Sequence, residues 1–78
     1  MKIKILYFAH VRDITKKEYE IIDINSGNMD EIKKIIFNKY PEIKYENNLL
    51  IAVNDEYYNN QKIKENDAIA FFPPVSGG

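Results

Sequence analysis

The sequence predicts an α+β fold: a mixed sheet of four to five strands with one main helix on one face. Three observations lead there. The first eight residues alternate as a strand does, and a short apolar run closes the body of the chain at Ala68–Phe72. Only one stretch, from Asn28 to Tyr40, carries a sustained helical period. The remaining apolar runs are short and bounded by Asn, Asp and Gly, as strands are.

The elements follow in order. Met1 to Phe8 reads as a strand with Ile3, Ile5 and Tyr7 on one face and Lys2, Lys4, Leu6 and Phe8 on the other. The two lysines mark the second face as solvent-facing where it begins. Ala9 to Ile14 is a short connection with one helical turn, and Glu18 to Ile24 is a second strand antiparallel to the first. Asn25-Ser26-Gly27 is a turn signal. Asn28 is a good N-cap residue, and Glu31 three positions later completes an approximate capping box. Met29, Ile32, Ile35, Ile36 and Tyr40 form the apolar stripe of the helix that follows, with Asp30, Lys33, Lys34 and Lys39 on its wet side. Pro41 disfavours helical geometry at Tyr40 and ends the element. Leu49 to Val53 is a buried strand, Asn54-Asp55 a turn, and Tyr57-Tyr58 a short edge strand. Lys62 to Asp67 is a polar loop with a 3₁₀ turn at Ile63, and Ala68 to Phe72 is the last strand. This order is that of a β-grasp (ubiquitin-like) domain, in which the first and last strands run parallel in the middle of the sheet. Residues 1–72 form that domain, and residues 73–78 an extended C-terminal tail ending in Gly-Gly.

Composition narrows the function. A chain of 78 residues allows one domain. A hydrophobic share of 45% is enough for one core and argues against disorder. The net charge is −1 with lysines and acids interleaved, so there is no basic stripe for nucleic acid. Cysteine is absent, which removes disulfides, thiolate metal sites and a cysteine nucleophile together. His10 is the only histidine, placed in a surface loop, and the runs Glu46-Asn47-Asn48 and Glu65-Asn66-Asp67 lack the spacing of a calcium loop, so no metal site is expected. No apolar run approaches the ~20 residues that span a membrane, and no signal peptide is seen. The expectation is a soluble cytoplasmic protein without membrane or nucleic-acid partners.

The tail carries the chemistry. From Ala68 to Gly78 no side chain is charged, so the arm can enter a protein channel without burying a charge. Pro73-Pro74 favours polyproline geometry, and six residues from Pro73 reach roughly 20 Å when extended. Val75, Ser76 and Gly77 lead to the α-carboxylate of Gly78, which no side chain obstructs. A carboxylate becomes an acyl donor once an oxygen is made a leaving group, as by adenylation with ATP. Sulfur then gives a thiocarboxylate, and an amine gives an isopeptide.

Three segments give this chain a family. Ile5-Leu6-Tyr7-Phe8-Ala9 with Arg12-Asp13, then Ala52-Val53-Asn54-Asp55-Glu56, and above all Ala70-Phe71-Phe72-Pro73-Pro74-Val75-Ser76-Gly77-Gly78 resemble the MoaD family, the small sulfur carrier subunits of molybdopterin synthase. The resemblance covers the whole chain. It departs at Thr15-Lys16-Lys17, where the family often has a glycine, and at Glu65-Asn66-Asp67, where Asn66 stands for a turn glycine. The resemblance implies that Gly78 is adenylated by a ubiquitin-activating-type, MoeB-like enzyme using ATP and magnesium, with no cofactor bound by the chain itself. A sulfur donor protein then converts the end to a thiocarboxylate, and the tail inserts into the synthase large subunit to supply sulfur to cyclic pyranopterin monophosphate. The catalytic side chains are expected in that large subunit, within a heterotetramer. With no cysteine, the carboxylate of Gly78 is the one place for covalently carried, transferable sulfur.

Strand parity adds a partner interface. With Ile69 and Phe71 inward, Ala70 and Phe72 point outward, and parallel central strands place Phe8 near Phe72 where the tail departs. The resemblance adds Tyr57 to this patch. Alternatives stay open at this point: a carrier for thiamine (ThiS-like) or tRNA thiolation, a ubiquitin-like protein modifier, or an interaction module with an inert tail.

Overall fold

The computed structural model describes residues 1–44 and 49–74. Chain order is β1 (Lys2–Tyr7), α1 (Ala9–Thr15), β2 (Tyr19–Asp23), α2 (Met29–Lys39), α3 (Pro41–Lys44), β3 (Leu50–Val53), β4 (Glu56–Tyr57) and β5 (Ala68–Phe72). The five strands form one sheet in the order β2-β1-β5-β3-β4. β1 and β5 are parallel neighbours at its centre, with Ile5 beside Ile69 and Tyr7 beside Phe71. Every other pairing is antiparallel. This is the expected β-grasp, with the fifth strand realised as the two-residue edge β4.

Alternation decides which face is dry. Ile3, Ile5 and Tyr7 of β1 and Ile69 and Phe71 of β5 are each no more than 1% exposed, and all point to the helical side. α2 meets them with Met29, Ile32 and Ile36, while Val11 of α1 and Ile43 of α3 close the ends. Full burial of a side chain of this size contributes about 1.5–3 kcal/mol. Among the described residues no helix covers the outer face of the sheet, because one long helix is all that a chain of this length supplies for a second layer.

Several connections differ from the expectation. α1 has seven residues and not one turn, so His10 lies on a helix rather than in a loop. Pro41 ends α2 and also opens α3, since a helix's first position needs no N–H. Ile63 is buried in an irregular connection and not in a 3₁₀ turn, and its backbone N–H is held by the Gly27 carbonyl at 2.9 Å. The α2 cap is also displaced: the Asn28 side chain makes no cap bond. Instead the Glu31 carboxylate accepts from the N–H groups of Asn25 and Ser26 at 2.7 and 2.8 Å and from the Ser26 hydroxyl at 2.7 Å. The turn at Gly27, φ 71°, brings those upstream amides to the first turn of the helix. These bonds, the Ser26 hydroxyl first, hold the Glu31 carboxyl below its usual range.

Candidate docking site

The outer face is built from residues of one parity. Register places Tyr19, Leu6, Ala70, Ala52 and Tyr57 in a single row across all five strands. The middle of that row is alanine and its ends are aromatic, so the surface is low over β5 and β3 and rises on both sides. Farther along β5, Phe72 pairs with Leu50. Beyond β1, Phe8 continues the alternation outward and is 46% exposed. It serves as the N-cap of α1 in extended geometry, and its carbonyl accepts the N–H of Val11 at 3.1 Å. The backbone turns at Ala9, φ 51°, and leaves the Phe8 ring outside the core.

Phe8 and Phe72 line one open groove of about 520 Å³. Ala52 and Ala70 line it between them, and Pro73 and Pro74 carry it past the end of β5. Tyr57, 71% exposed, stands beside Phe72 with ring centroids 6.3 Å apart. Ala70 points outward by parity yet is only 9% exposed, because its short side chain lies low among larger neighbours. The structure thus brings Phe8, Phe72, Pro73 and Pro74 to one surface with Tyr57 at its flank. Val75, Ser76, Gly77 and Gly78 lie outside the described residues, as do residues 45–48.

Two further residues share this face and were missed from sequence. Tyr19 and Ile21 on β2 are 52% and 53% exposed, and the ammonium of Lys4 lies 4.6 Å from the Tyr19 ring centre. The strand reads Tyr-Glu-Ile-Ile-Asp, so each parity holds at least one apolar and one other residue, and alternation alone could not choose its buried side.

The choice falls to Glu20. Its carboxylate turns inward and accepts the hydroxyls of Tyr7 at 2.6 Å and Tyr40 at 2.8 Å, both on Oε2, while Lys39 donates to Oε1. Lys17 stands 3.7 Å away. Burial by itself raises the pKa of Glu20, but the bonds from Lys39, Tyr7 and Tyr40 outweigh it and bring the value down to about 2. The same contact, after burial, pushes both tyrosine hydroxyls upward. This network binds β1, β2 and the end of α2 together on the face opposite the groove.

The start of β5, at the end away from the tail, is fixed by Asn54. The two-residue turn Asn54-Asp55, φ 51° and 73°, joins β3 to β4 with the geometry that Asn and Asp tolerate. The Asn54 side chain accepts the N–H of Ala68 at 2.9 Å and donates to Asp67 at 2.9 Å, and its backbone N–H meets the Ala68 carbonyl at 2.8 Å. A second concavity beside this turn is lined by side chains of mixed sign whose Asn54 and Asp67 already satisfy each other. Among the described residues, no group of three or more His, Asp or Glu side chains is placed to hold a metal. No described helix is long and apolar enough to cross a membrane.

The model of the ThiS family matches residues 5–78. The chain belongs to the ThiS family. Within it, the chain is 39% identical to the molybdopterin synthase sulfur carrier subunit of Dictyostelium discoideum, over 99% of this chain and 96% of that one. Its fold superposes on a chain from the complex of subunits 1 and 2 of the molybdopterin-converting factor of Helicobacter pylori, with TM-score 0.76, 26% identity and full coverage of both chains. SAMP1 from Haloferax volcanii shares the fold, with TM-score 0.85 over the full length of both chains at 17% identity. For a ThiS-family chain, the described structure supplies the β-grasp body, the strand from which the tail departs, and the apolar groove at its foot.

Proposed function

We propose that this chain is the sulfur carrier subunit of a molybdopterin synthase, with the carboxyl group of Gly78 as its working atom set. A MoeB-like adenylating enzyme, using ATP and magnesium, joins that carboxylate to AMP with release of pyrophosphate. Sulfur delivered at the sulfide level by a donor protein attacks the acyl carbon, displaces AMP and leaves a thiocarboxylate. The large subunit receives the tail, Pro73 to Gly78, and its side chains direct the sulfur to cyclic pyranopterin monophosphate. Two carriers on a dimer of large subunits give a heterotetramer in the cytoplasm. Phe8, Phe72 and Tyr57 dock the body so that the tail enters the large subunit.

The observation that carries this reading is the placement of Pro73-Pro74 on the same groove that Phe8 and Phe72 line. A partner seated there is met by the tail where it leaves the fold. The end-to-end likeness to the Dictyostelium carrier subunit supports the molybdopterin pathway over other thiolation pathways. The test is the intact mass of the protein from its native host, followed by reconstitution with the large subunit and the pterin precursor. A C-terminal oxygen-to-sulfur exchange that is consumed as dithiolene forms is the expected result. Full activity after deletion of Gly77-Gly78 would sink the reading.

A further inference from the structure

The groove has one charged lining residue, Asp55, and it is set there by backbone geometry. Its seven other lining residues are Phe, Ala or Pro. Asp55 sits at the second position of the β3–β4 turn, φ 73°, a conformation that Asp adopts more readily than most side chains. The turn is locked to the start of β5 by Asn54, so the carboxylate is held at the end of the groove away from the tail exit, while Phe8, Phe72 and Pro73 line the other end. Asp55 is exposed, and among the described residues no lysine, arginine or histidine pairs with it. Three other acids at the sheet's margins have partners: Asp23 is paired with Lys2 at 3.0 Å, Glu18 with Arg12 at 3.7 Å, and Asp67 is bonded to Asn54. Across the sheet, on the side of β1 and β2, the open face carries the opposite sign, at Lys4 over Tyr19. The face is therefore apolar with a fixed polarity across the sheet, negative at the β3–β4 turn and positive toward β2.

An apolar surface that desolvates on docking penalises a carboxylate at its rim unless the partner supplies a cation. We infer that Asp55 is a specificity-determining contact of this groove, and that its occupant is a protein surface presenting an apolar anchor next to a lysine or arginine that pairs with Asp55. The inference rests on the docking role proposed above for Phe8 and Phe72, and names the charge that the partner must bring. The pair sets orientation and discrimination more than raw affinity, since a rim charge acts mainly on the rate of encounter and against wrong partners.

The probe is the purified molybdopterin synthase large subunit from the same genome, with association and dissociation rates measured at low and moderate salt. Asp55→Asn keeps the turn, since Asn tolerates the same backbone, and is expected to weaken binding about three- to five-fold at low salt. Asp55→Lys is expected to weaken it about a hundred-fold, with most of the loss in the association rate and with reversal of its salt dependence. Replacing the facing lysine or arginine of the large subunit with glutamate should restore binding to Asp55→Lys. Phe72→Ser is the parallel control for the apolar contact, and thermal melts check that each variant is folded. If Asp55→Lys binds like the parent while Phe72→Ser does not, the charge pairing is overturned and the docking reading stands. If both bind like the parent, both fall. Loss in Asp55→Lys with parental binding in Phe72→Ser would keep the ion pair and remove the aromatic anchor.

Discussion

Replacing Glu20 with glutamine should unlock the junction of β1, β2 and α2, and its cost depends on pH in a defined direction. In the fold the carboxylate, 9% exposed, receives Lys39 and the hydroxyls of Tyr7 and Tyr40. Its pKa falls from 4.5 to about 2. At about 1.4 kcal/mol per pKa unit, that drop corresponds to about 3 kcal/mol of preference for the charged form. Lys39 and Lys17 are nearly half exposed, so screening by solvent reduces the figure to about 2 kcal/mol. A depressed pKa contributes stability that is fully present above the unfolded value, near 4.5, and is lost as pH falls toward 2. Glutamine keeps the size but not the charge. Urea denaturation followed by circular dichroism should therefore show Glu20→Gln destabilised by about 2 kcal/mol at pH 7, with the gap closing below about 1 kcal/mol at pH 2.5. Asp23 and Glu31, whose pKa values are also lowered, contribute alike to both proteins and cancel in the difference. An equal gap at both pH values would refute the linkage, and a gap under about 0.5 kcal/mol at pH 7 would refute the network as a source of stability.

Three substitutions test the turns. Gly27→Ala places a Cβ 2.6 Å from the Ile63 carbonyl oxygen at φ 71°, and should cost at least about 2 kcal/mol, read as a loss of roughly 10 °C or more in Tm. Lys16→Gly should do the reverse, raising stability by up to about 1 kcal/mol in the same melt, because Lys16 ends α1 at φ 60° where glycine carries no steric cost. Asn54→Ala removes the side-chain acceptor for the Ala68 N–H and strains φ 51°. It should cost about 2–3 kcal/mol and accelerate amide exchange at Ala68 before it affects β1.

What was legible in the sequence was whatever period two or period 3.6 could encode. Ala68–Phe72 appears as a strand at the bounds expected, and α2 begins at Met29 after Asn28 as its residues imply. The inward set Ile3, Ile5, Tyr7, Ile69 and Phe71 follows from alternation once the lysines of β1 mark the wet side. The family departure at Thr15-Lys16-Lys17 has its physical counterpart in Lys16, which occupies the left-handed region where the family often has glycine. Asn66, at φ 70°, takes the positive-φ position assigned to it. What sequence could not encode were choices made by distant partners. Nothing in the local sequence marks Glu20 for burial, and only Tyr7, Tyr40 and Lys39, each far along the chain, make its inward placement favourable. With Glu20 inside, Tyr19 and Ile21 had to be outside. Likewise Glu31 was read as a capping-box residue for Asn28, but its acceptors were claimed by Asn25 and Ser26, which the Gly27 turn delivers.

The two faces of the sheet divide stability from recognition, and the division follows from chain length and parity. One helix covers one face, so alternate residues of every strand are committed to water or to another protein. A face meant only for water would carry charges at those positions; here β2, β1, β5, β3 and β4 present Tyr19, Leu6, Ala70, Ala52 and Tyr57. The cost of leaving Tyr19 and Tyr57 exposed is small in the free chain, since neither folded nor unfolded state hides them well, whereas covering them on association recovers the hydrophobic term. The parallel pairing of β1 with β5 then fixes where recognition is strongest. It brings the C-terminal ends of both strands, with Phe8 and Phe72, to one edge, and Pro73-Pro74 leave from that edge. An antiparallel β1–β5 pair with the same residues would have put Phe8 at the far end from Phe72, and a partner docked on the Phe8 ring would have been about five strand residues, roughly 17 Å, away from the tail. Direction of one strand pair, and not the identity of the aromatics alone, joins the docking surface to the chemistry at the chain's end.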